Sequence, residues 1–309
     1  MEWLDRDTTL ARLDYQAVAN ACAEQLHLAH AGRTHCPPRG VLPLAEDGTL
    51  LLMPAGDDDI AITKLVTVHP HNTHQALPTI QGEMVVLEAA TGRRLLVADG
   101  AAVSARRTAA VSLLAAQHLA PRTDTPVLVY GAGTQAQVHL EALHEGLGVR
   151  EAYLFSRTRQ RAEALAQTMT ARGMQVQVVA APEAVLDRVR LIVTATTATT
   201  PFLPERLPED CFVAAVGAFR AHMAEAPPAL VANSRVVIDT DEGARAEAGD
   251  LIQAATQNAF HWSDAITLDA VVREGKTPAG SGPVLFKSVG QSLWDLAAGR
   301  VLAATLDNG

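Results

Sequence analysis

Gly131, Gly133 and Ala136 follow the apolar run VLVY and open the helix-forming stretch TQAQVHLEAL. Small residues at that spacing serve one purpose well. The first glycine permits a tight turn out of a strand, the second lets the backbone approach a pyrophosphate, and the small third residue lets helix and strand close up. The N–H groups of the helix start, from Thr134 and Gln135 onward, are left to bind the anion. The pattern is weak alone, but here strand, turn, helix and a second β-prone run, AYLFS, occur in the required order. The stretch is therefore expected to hold the phosphates of a dinucleotide.

The residues that close the second strand select which dinucleotide. A site for the unphosphorylated ribose carries an acid there for the 2′-hydroxyl, whereas this chain has Ser156, Arg157 and Thr158, with Arg161 one helical turn along. A guanidinium and two hydroxyls suit a 2′-phosphate through charge-assisted hydrogen bonds, so NADP(H) is the expected cofactor. The bland alternative is a solvated helix start that happens to carry arginines.

Outside this half the cations are few enough to weigh singly. Arg39 lies in CPPRGVLPL, Lys64 interrupts ITKLV, and Arg106 and Arg107 stand in SARRTAA. A helix is expected over 106–120, and because a helix N-terminus is already positive, two arginines there ask for an anion in front of them. Lys64 is either an edge residue that snorkels to water or a charge kept for a ligand.

These residues need elements to position them. From Leu50 to Val103 the runs LLLM, ITKLVTV, EMVVLEA and RRLLVADG alternate with turn residues, which predicts a mostly antiparallel sheet. After the helix halted by Pro121, strands and helices alternate as far as RVVIDT, the pattern of right-handed βαβ units on a parallel sheet. The last stretch, 284–306, enters an amphipathic helix expected to return to the first half. The predicted fold class is α/β, with a Rossmann-like doubly wound parallel sheet over 122–287 and a split α+β domain made of 1–121 with 288–309.

Composition agrees with that class and removes others. Of 309 residues 48% are hydrophobic and only 4% aromatic, as expected where Ala-rich helices cover a Val-rich sheet. A formal charge of −9 argues against a nucleic-acid partner and for a small molecule. The start, MEWLDRDTTL, lacks a basic and apolar leader, and no run is apolar enough to span a bilayer, so a cytoplasmic location and no membrane partner are expected. Cys22, Cys36 and Cys211 lack metal or disulfide spacing. His69, His71 and His74, and the acids Asp57, Asp58 and Asp59, read as polar loops rather than metal sites.

The segments GAGTQAQVHLEAL, RRTAA, PPRGVLPL, TATTATTPFLP, AVGAF and LFKSVG occur in the order found in the ornithine cyclodeaminase and mu-crystallin family, which the chain resembles over nearly its whole length. The resemblance implies that the split domain binds substrate and forms a homodimer. It implies that Arg39, Lys64 and Arg107 hold a substrate carboxylate. By the same route Thr194, Thr196 and Thr197 line the cofactor, Val216 and Ala218 border the nicotinamide, and Ser288 lies nearby. Where the cyclodeaminases carry a Glu and an Asp for the amino groups of ornithine, this chain has Leu51 and Phe219, which cannot serve a diamine. The resemblance thus favours the branch that reduces cyclic ketimines, Δ1-pyrroline-2-carboxylate to L-proline and Δ1-piperideine-2-carboxylate to L-pipecolate. The clamp would fix C2 for hydride transfer and Leu51 with Phe219 would wall the ring methylenes. No proton donor is identified, Asp99 and the histidines being weak candidates. An alanine-type dehydrogenase, a cyclodeaminating lyase and a non-catalytic binder of NADPH and a carboxylate stand as alternatives.

Overall fold

The computed structural model describes residues 1–306 apart from Ala76, and the side chains of Thr73 and His74 also lie outside the description. In chain order the elements are β1 (Glu2–Leu4), α1 (Arg6–Arg12), α2 (Tyr15–His30), β2 (Gly40–Pro43), β3 (Thr49–Gly56), β4 (Ile60–Val68), β5 (Ile80–Glu88), β6 (Arg94–Asp99) and α3 (Gly100–Leu119). They continue as β7 (Val127–Tyr130), α4 (Thr134–Leu147), β8 (Glu151–Phe155), α5 (Arg159–Ala171), β9 (Gln175–Val178), β10 (Leu191–Thr194), β11 (Phe212–Ala215), α6 (Pro228–Ala232) and β12 (Arg235–Ile238). The last are α7 (Asp241–Glu247), α8 (Gly249–Thr256), β13 (Ile266–Thr267), α9 (Leu268–Glu274), β14 (Val284–Lys287) and α10 (Ser292–Ala304). Two compact units result, Met1–Val111 with Gln291–Gly309, and Ser112–Gly290.

The first unit is built on a six-stranded sheet in the order β1-β6-β5-β4-β3-β2, antiparallel except where β1 runs parallel to β6. Strand β4 shows the period-2 alternation of a half-buried strand, with Ile60, Ile62, Lys64 and Val66 on its buried face. Met53 and Met84 lie directly across from Lys64 on β3 and β5, and both are buried. Helix α10 packs on α2, β3 and β4 to cover this face. Its close approach depends on Gly299, because a Cβ there would stand 2.8 Å from Ile62 Cγ2. Asp295 sits one turn earlier on the same stripe of α10.

Helix α3 begins at Gly100, which corrects the expected start at Arg106. The Asp99 Oδ1 accepts a hydrogen bond from Ala102 N at 2.7 Å and caps the helix, so the two arginines fall beyond its first turn. The positive helix end therefore does not explain them. A small-residue start, GAAVSA, carries too little apolar periodicity to reveal itself in sequence.

The second unit holds an eight-stranded, wholly parallel sheet in the order β13-β12-β14-β11-β10-β7-β8-β9. The order in which strands are added reverses between β7 and β10, the topological switch point at which doubly wound sheets bind ligands. Strands β7, β10 and β11 are buried at every position, as expected when helices cover both faces. The stretch VLFK, read from sequence only as the approach to the terminal helix, forms β14 and inserts between β11 and β12.

Candidate functional site

At the switch point the loops leaving β7, β8 and β10 enclose a cleft of about 570 Å3, lined by residues 130–133, 155–158, Arg161, 195–200 and Phe202. Gly131 has φ +118°, and a Cβ on it would lie 2.5 Å from the Ala195 carbonyl oxygen, so only glycine fits where these two loops meet. Gly133 opens α4 without a side-chain cap, and a Cβ on it would meet nothing of the protein within 4 Å. Its backbone and the first N–H groups of α4 are thus left for an anion. Ala136 is fully buried. Ser156, Arg157, Thr158 and Arg161 gather at the cleft, and no carboxylate is among its lining residues. Glycine turn and uncapped helix start together fit the pyrophosphate of a dinucleotide.

Of the threonines implied by the resemblance, Thr196 and Thr197 line the cleft, and Thr194 does not. Thr194 is fully buried, and its hydroxyl donates to Glu225 Oε2 at 2.8 Å. Glu225 also receives Thr196 N and Oγ1 at 2.8 Å each and Gly217 N at 2.9 Å, so one buried carboxylate ties the loop after β10 to the loop after β11. Burial pushes the Glu225 carboxyl up, while Lys287 and the Thr196 donors oppose that push. Beneath it Asp250 Oδ1 accepts from Glu225 N and Ala226 N, and its Oδ2 lies 2.7 Å from Lys287 Nζ, both side chains being wholly buried. Val216, Ala218 and Ser288 are buried outside the cleft lining, and Ser288 Oγ donates to Asp239 Oδ2 at 2.7 Å.

The first unit contains a second cluster. Lys64 Nζ donates to Asp295 Oδ1 at 2.8 Å, and Arg107 Nε donates to the same oxygen at 3.1 Å. All three side chains are buried. Burial brings the Lys64 ammonium down to about 8; Asp295 opposes that shift, while Arg107 and Arg39 reinforce it. Arg39 is thus close enough for its charge to be felt at Lys64. Leu51, half-buried, lies on the same sheet face as Lys64 and opposite Val66. Arg106, the other arginine of the pair, instead places its guanidinium 4.1 Å from the centre of the Tyr15 ring. In the second unit Phe219 is 38% exposed, with the Arg220 guanidinium 5.9 Å from its ring centre.

The remaining candidates have structural employment. Asp57 caps its own turn through Asp59 N and Ile60 N and pairs with Arg300, while Asp58 pairs with Arg33. His71 stands 3.5 Å from Asp47, and the side chain of His74 lies outside the described residues. The three cysteines are free thiols. Asp99 is the helix cap described above. Sequence reasoning missed Asp295, Glu225, Asp250, Asp239 and Lys287. Two of these carry a signal that could have found them: Asp295 stands among the apolar residues of SLWDLAAG, and Lys287 ends the apolar run VLF.

A Rossmann-like doubly wound domain with an anion-accepting turn, joined in one chain to a mixed-sheet unit that buries cations, defines the class of protein. Comparison narrows it. The signature of the ornithine cyclodeaminase/mu-crystallin family matches residues 6–308, and the chain belongs to that family. It is 38% identical over 306 residues to "Delta(1)-pyrroline-2-carboxylate reductase 2" of Burkholderia ambifaria, covering 98% of this chain and 95% of that one. It is 39% identical over 297 residues to "Delta(1)-pyrroline-2-carboxylate/Delta(1)-piperideine-2-carboxylate reductase" of Azospirillum brasilense, covering 96% and 93%. The solved structure of Thermococcus litoralis Delta(1)-pyrroline-2-carboxylate reductase, in complex with NADH and L-proline, superposes with a TM-score of 0.92 at 25% identity, covering 100% of this chain and 98% of that one.

Proposed function

We propose that the protein reduces cyclic ketimines bearing an α-carboxylate, Δ1-pyrroline-2-carboxylate to L-proline and Δ1-piperideine-2-carboxylate to L-pipecolate, with NADPH as reductant. The observation that carries this reading is the buried cluster of Lys64 and Arg107 on the single carboxylate of Asp295, which leaves an excess of positive charge for a substrate carboxylate. The names of the relatives support the reaction type.

The cofactor, when bound, supplies hydride from its reduced nicotinamide. The chain's own residues do the rest. Gly131, Gly133 and the start of α4, Thr134 and Gln135 included, accept the pyrophosphate, and Ser156, Arg157, Thr158 and Arg161 accept a 2′-phosphate. Thr196 and Thr197 line the same cleft on the β10 side of the glycine turn, and Thr194 bonds Glu225, which holds their loop. Arg39, Lys64 and Arg107 bind the substrate carboxylate and so fix the orientation of the imine carbon. Neither Leu51 nor Phe219 supplies a base for a second amine, which disfavours cyclodeamination. The five- and six-membered rings differ by one methylene, worth about 1 kcal/mol, so both are substrates in this reading. Homodimerisation through the first unit is part of the proposal, supported by the exposed apolar side chains of Val41 and Leu42 on the edge strand β2 and of Leu52 beside them on β3.

The test is loss of reduced-nicotinamide absorbance with purified protein and each cyclic imine, using NADPH and NADH, with pyruvate plus ammonia and ornithine as comparisons. Turnover of an imine with NADPH is expected. Turnover only with pyruvate and ammonia would replace the reading by an alanine-type dehydrogenase, and release of proline from ornithine would replace it by a lyase.

A further inference from the structure

Lys64 is the only charged residue on the buried face of β4, flanked across the sheet by Met53 and Met84. An ammonium in such surroundings sheds its proton unless an anion answers it. The anion comes from far along the chain. Asp295 lies 231 residues later, on the helix that Gly299 allows against β4, and is itself fully buried.

The geometry has three features that a simple ion pair lacks. A single oxygen, Oδ1, accepts from both Lys64 and Arg107, so the carboxylate fixes two cations from two different elements relative to each other. The second oxygen, Oδ2, is buried and accepts no hydrogen bond among the described residues. Arg107 is held through Nε, which leaves its terminal nitrogens outside that contact. The buried group therefore has two cations to one anion, and the charge of Arg39 is felt at Lys64 as well.

We infer that Asp295 is the positioning residue of the carboxylate clamp: it sets Lys64 and Arg107 in register and keeps Lys64 charged until a substrate carboxylate arrives. This rests on the reading of Arg39, Lys64 and Arg107 as that clamp. Asp295 does not touch the reacting atoms. Its role is to keep Lys64 and Arg107 from separating, and to keep Lys64, the one that can lose a proton, from discharging. The groups whose charge bears on Lys64 are Asp295 on α10, Arg107 on α3 and Arg39 ahead of β2. The thiols of Cys22 on α2 and Cys36 border the same cluster, each pushed up by burial and therefore neutral.

Two readouts test this. The chain has three lysines, Lys64, Lys276 and Lys287, so isotope-labelled lysine side chains can be followed individually by NMR as pH is varied. In the wild type Lys64 should titrate near 8, and in Asp295→Asn its midpoint should fall by at least about one pH unit, a tenfold change in proton affinity. Kinetically, Asp295→Asn should raise KM for the imine roughly tenfold or more at neutral pH, with partial recovery as pH is lowered and with NADPH affinity unchanged. Adding Lys64→Arg, which keeps its charge, should flatten that pH dependence. A Lys64 midpoint that does not move, or a KM defect independent of pH, overturns the inference. If Asp295→Asn does not fold, Asp295→Glu is read instead and should retain the Lys64 midpoint while disturbing KM. If the wild type turns over no imine but the Lys64 midpoint still moves, the ketimine reading fails and the coupling of Asp295 to Lys64 stands.

Discussion

Exchanging the residues at the end of β8 should invert the cofactor preference. In Ser156→Asp with Arg157→Ser, the cation best placed for a 2′-phosphate is removed and a carboxylate is set where an unphosphorylated ribose would present its hydroxyls. Both positions line the cleft, and Arg157 is exposed, so the change perturbs no core packing. One charge-assisted hydrogen bond to phosphate contributes about 1.5–3 kcal/mol, and the new carboxylate adds repulsion of similar size. NADPH affinity should therefore fall by about two orders of magnitude or more, while NADH affinity holds or improves several-fold. Arg161 remains as a partial anchor, so Arg161→Ala in the same background should deepen the loss. Equilibrium titration of nicotinamide fluorescence with both cofactors, repeated at two salt concentrations, gives the numbers. Because Arg157 and Arg161 are solvent-facing, wild-type NADPH affinity should weaken with salt more than NADH affinity does. Equal losses for the two cofactors, or a wild type that already prefers NADH, would refute the assignment of these side chains to a 2′-phosphate.

Other outcomes follow from the same geometry. Gly131→Ala should destabilise the fold and abolish cofactor binding together, because its Cβ would lie 2.5 Å from a backbone oxygen at a φ of +118°, a strain of about 1–3 kcal/mol before relaxation. Gly133→Ala, with open space at the same atom, should keep its melting temperature and lose cofactor affinity alone; calorimetry beside a cofactor titration separates the two. Arg107→Met should raise KM for the imine steeply while NADPH binding persists, and unchanged kinetics would remove Arg107 from the clamp. His139 is fully buried and accepts from Ser112 Oγ, and burial brings its imidazole down from 6.5 to about 4. The unfolded state then takes up a proton below about 6.5 that the folded state refuses until about 4, so stability falls as pH drops through that window, by about 3 kcal/mol. Denaturant midpoints at several pH values should show that loss in the wild type and much less of it in His139→Gln.

What the sequence disclosed and what it hid divide along a physical line. The turn at Gly131 and the cations at Arg157 and Arg161 were legible because consecutive residues form them, and backbone conformation is a local property. The parallel sheet was legible for the same reason, as apolar runs such as VLVY and LIVT are buried on both faces wherever they sit. The place of β14 in that sheet was not, since a run of four apolar residues states its burial without naming its neighbours. The start of α3 was missed because its cap, Asp99, is followed by Gly and Ala, which carry no periodicity.

The carboxylates were hidden for a deeper reason. Asp295, Glu225 and Asp250 act on groups far along the chain or on backbone N–H groups that every residue possesses, so no spacing rule points at them. Each is nevertheless what makes a legible motif work. Glu225 holds the Thr196 loop that lines the cleft, and Asp295 holds Lys64 and Arg107, two of the three cations of the proposed clamp. Both are buried, and a buried carboxylate that loses its donors costs about 3–5 kcal/mol, so neither is a free adjustment of an already stable fold. The residues that contact ligands in this reading are thus carried on turns and strand ends that sequence can reveal. The residues that fix their positions are acids whose partners only the assembled chain makes visible.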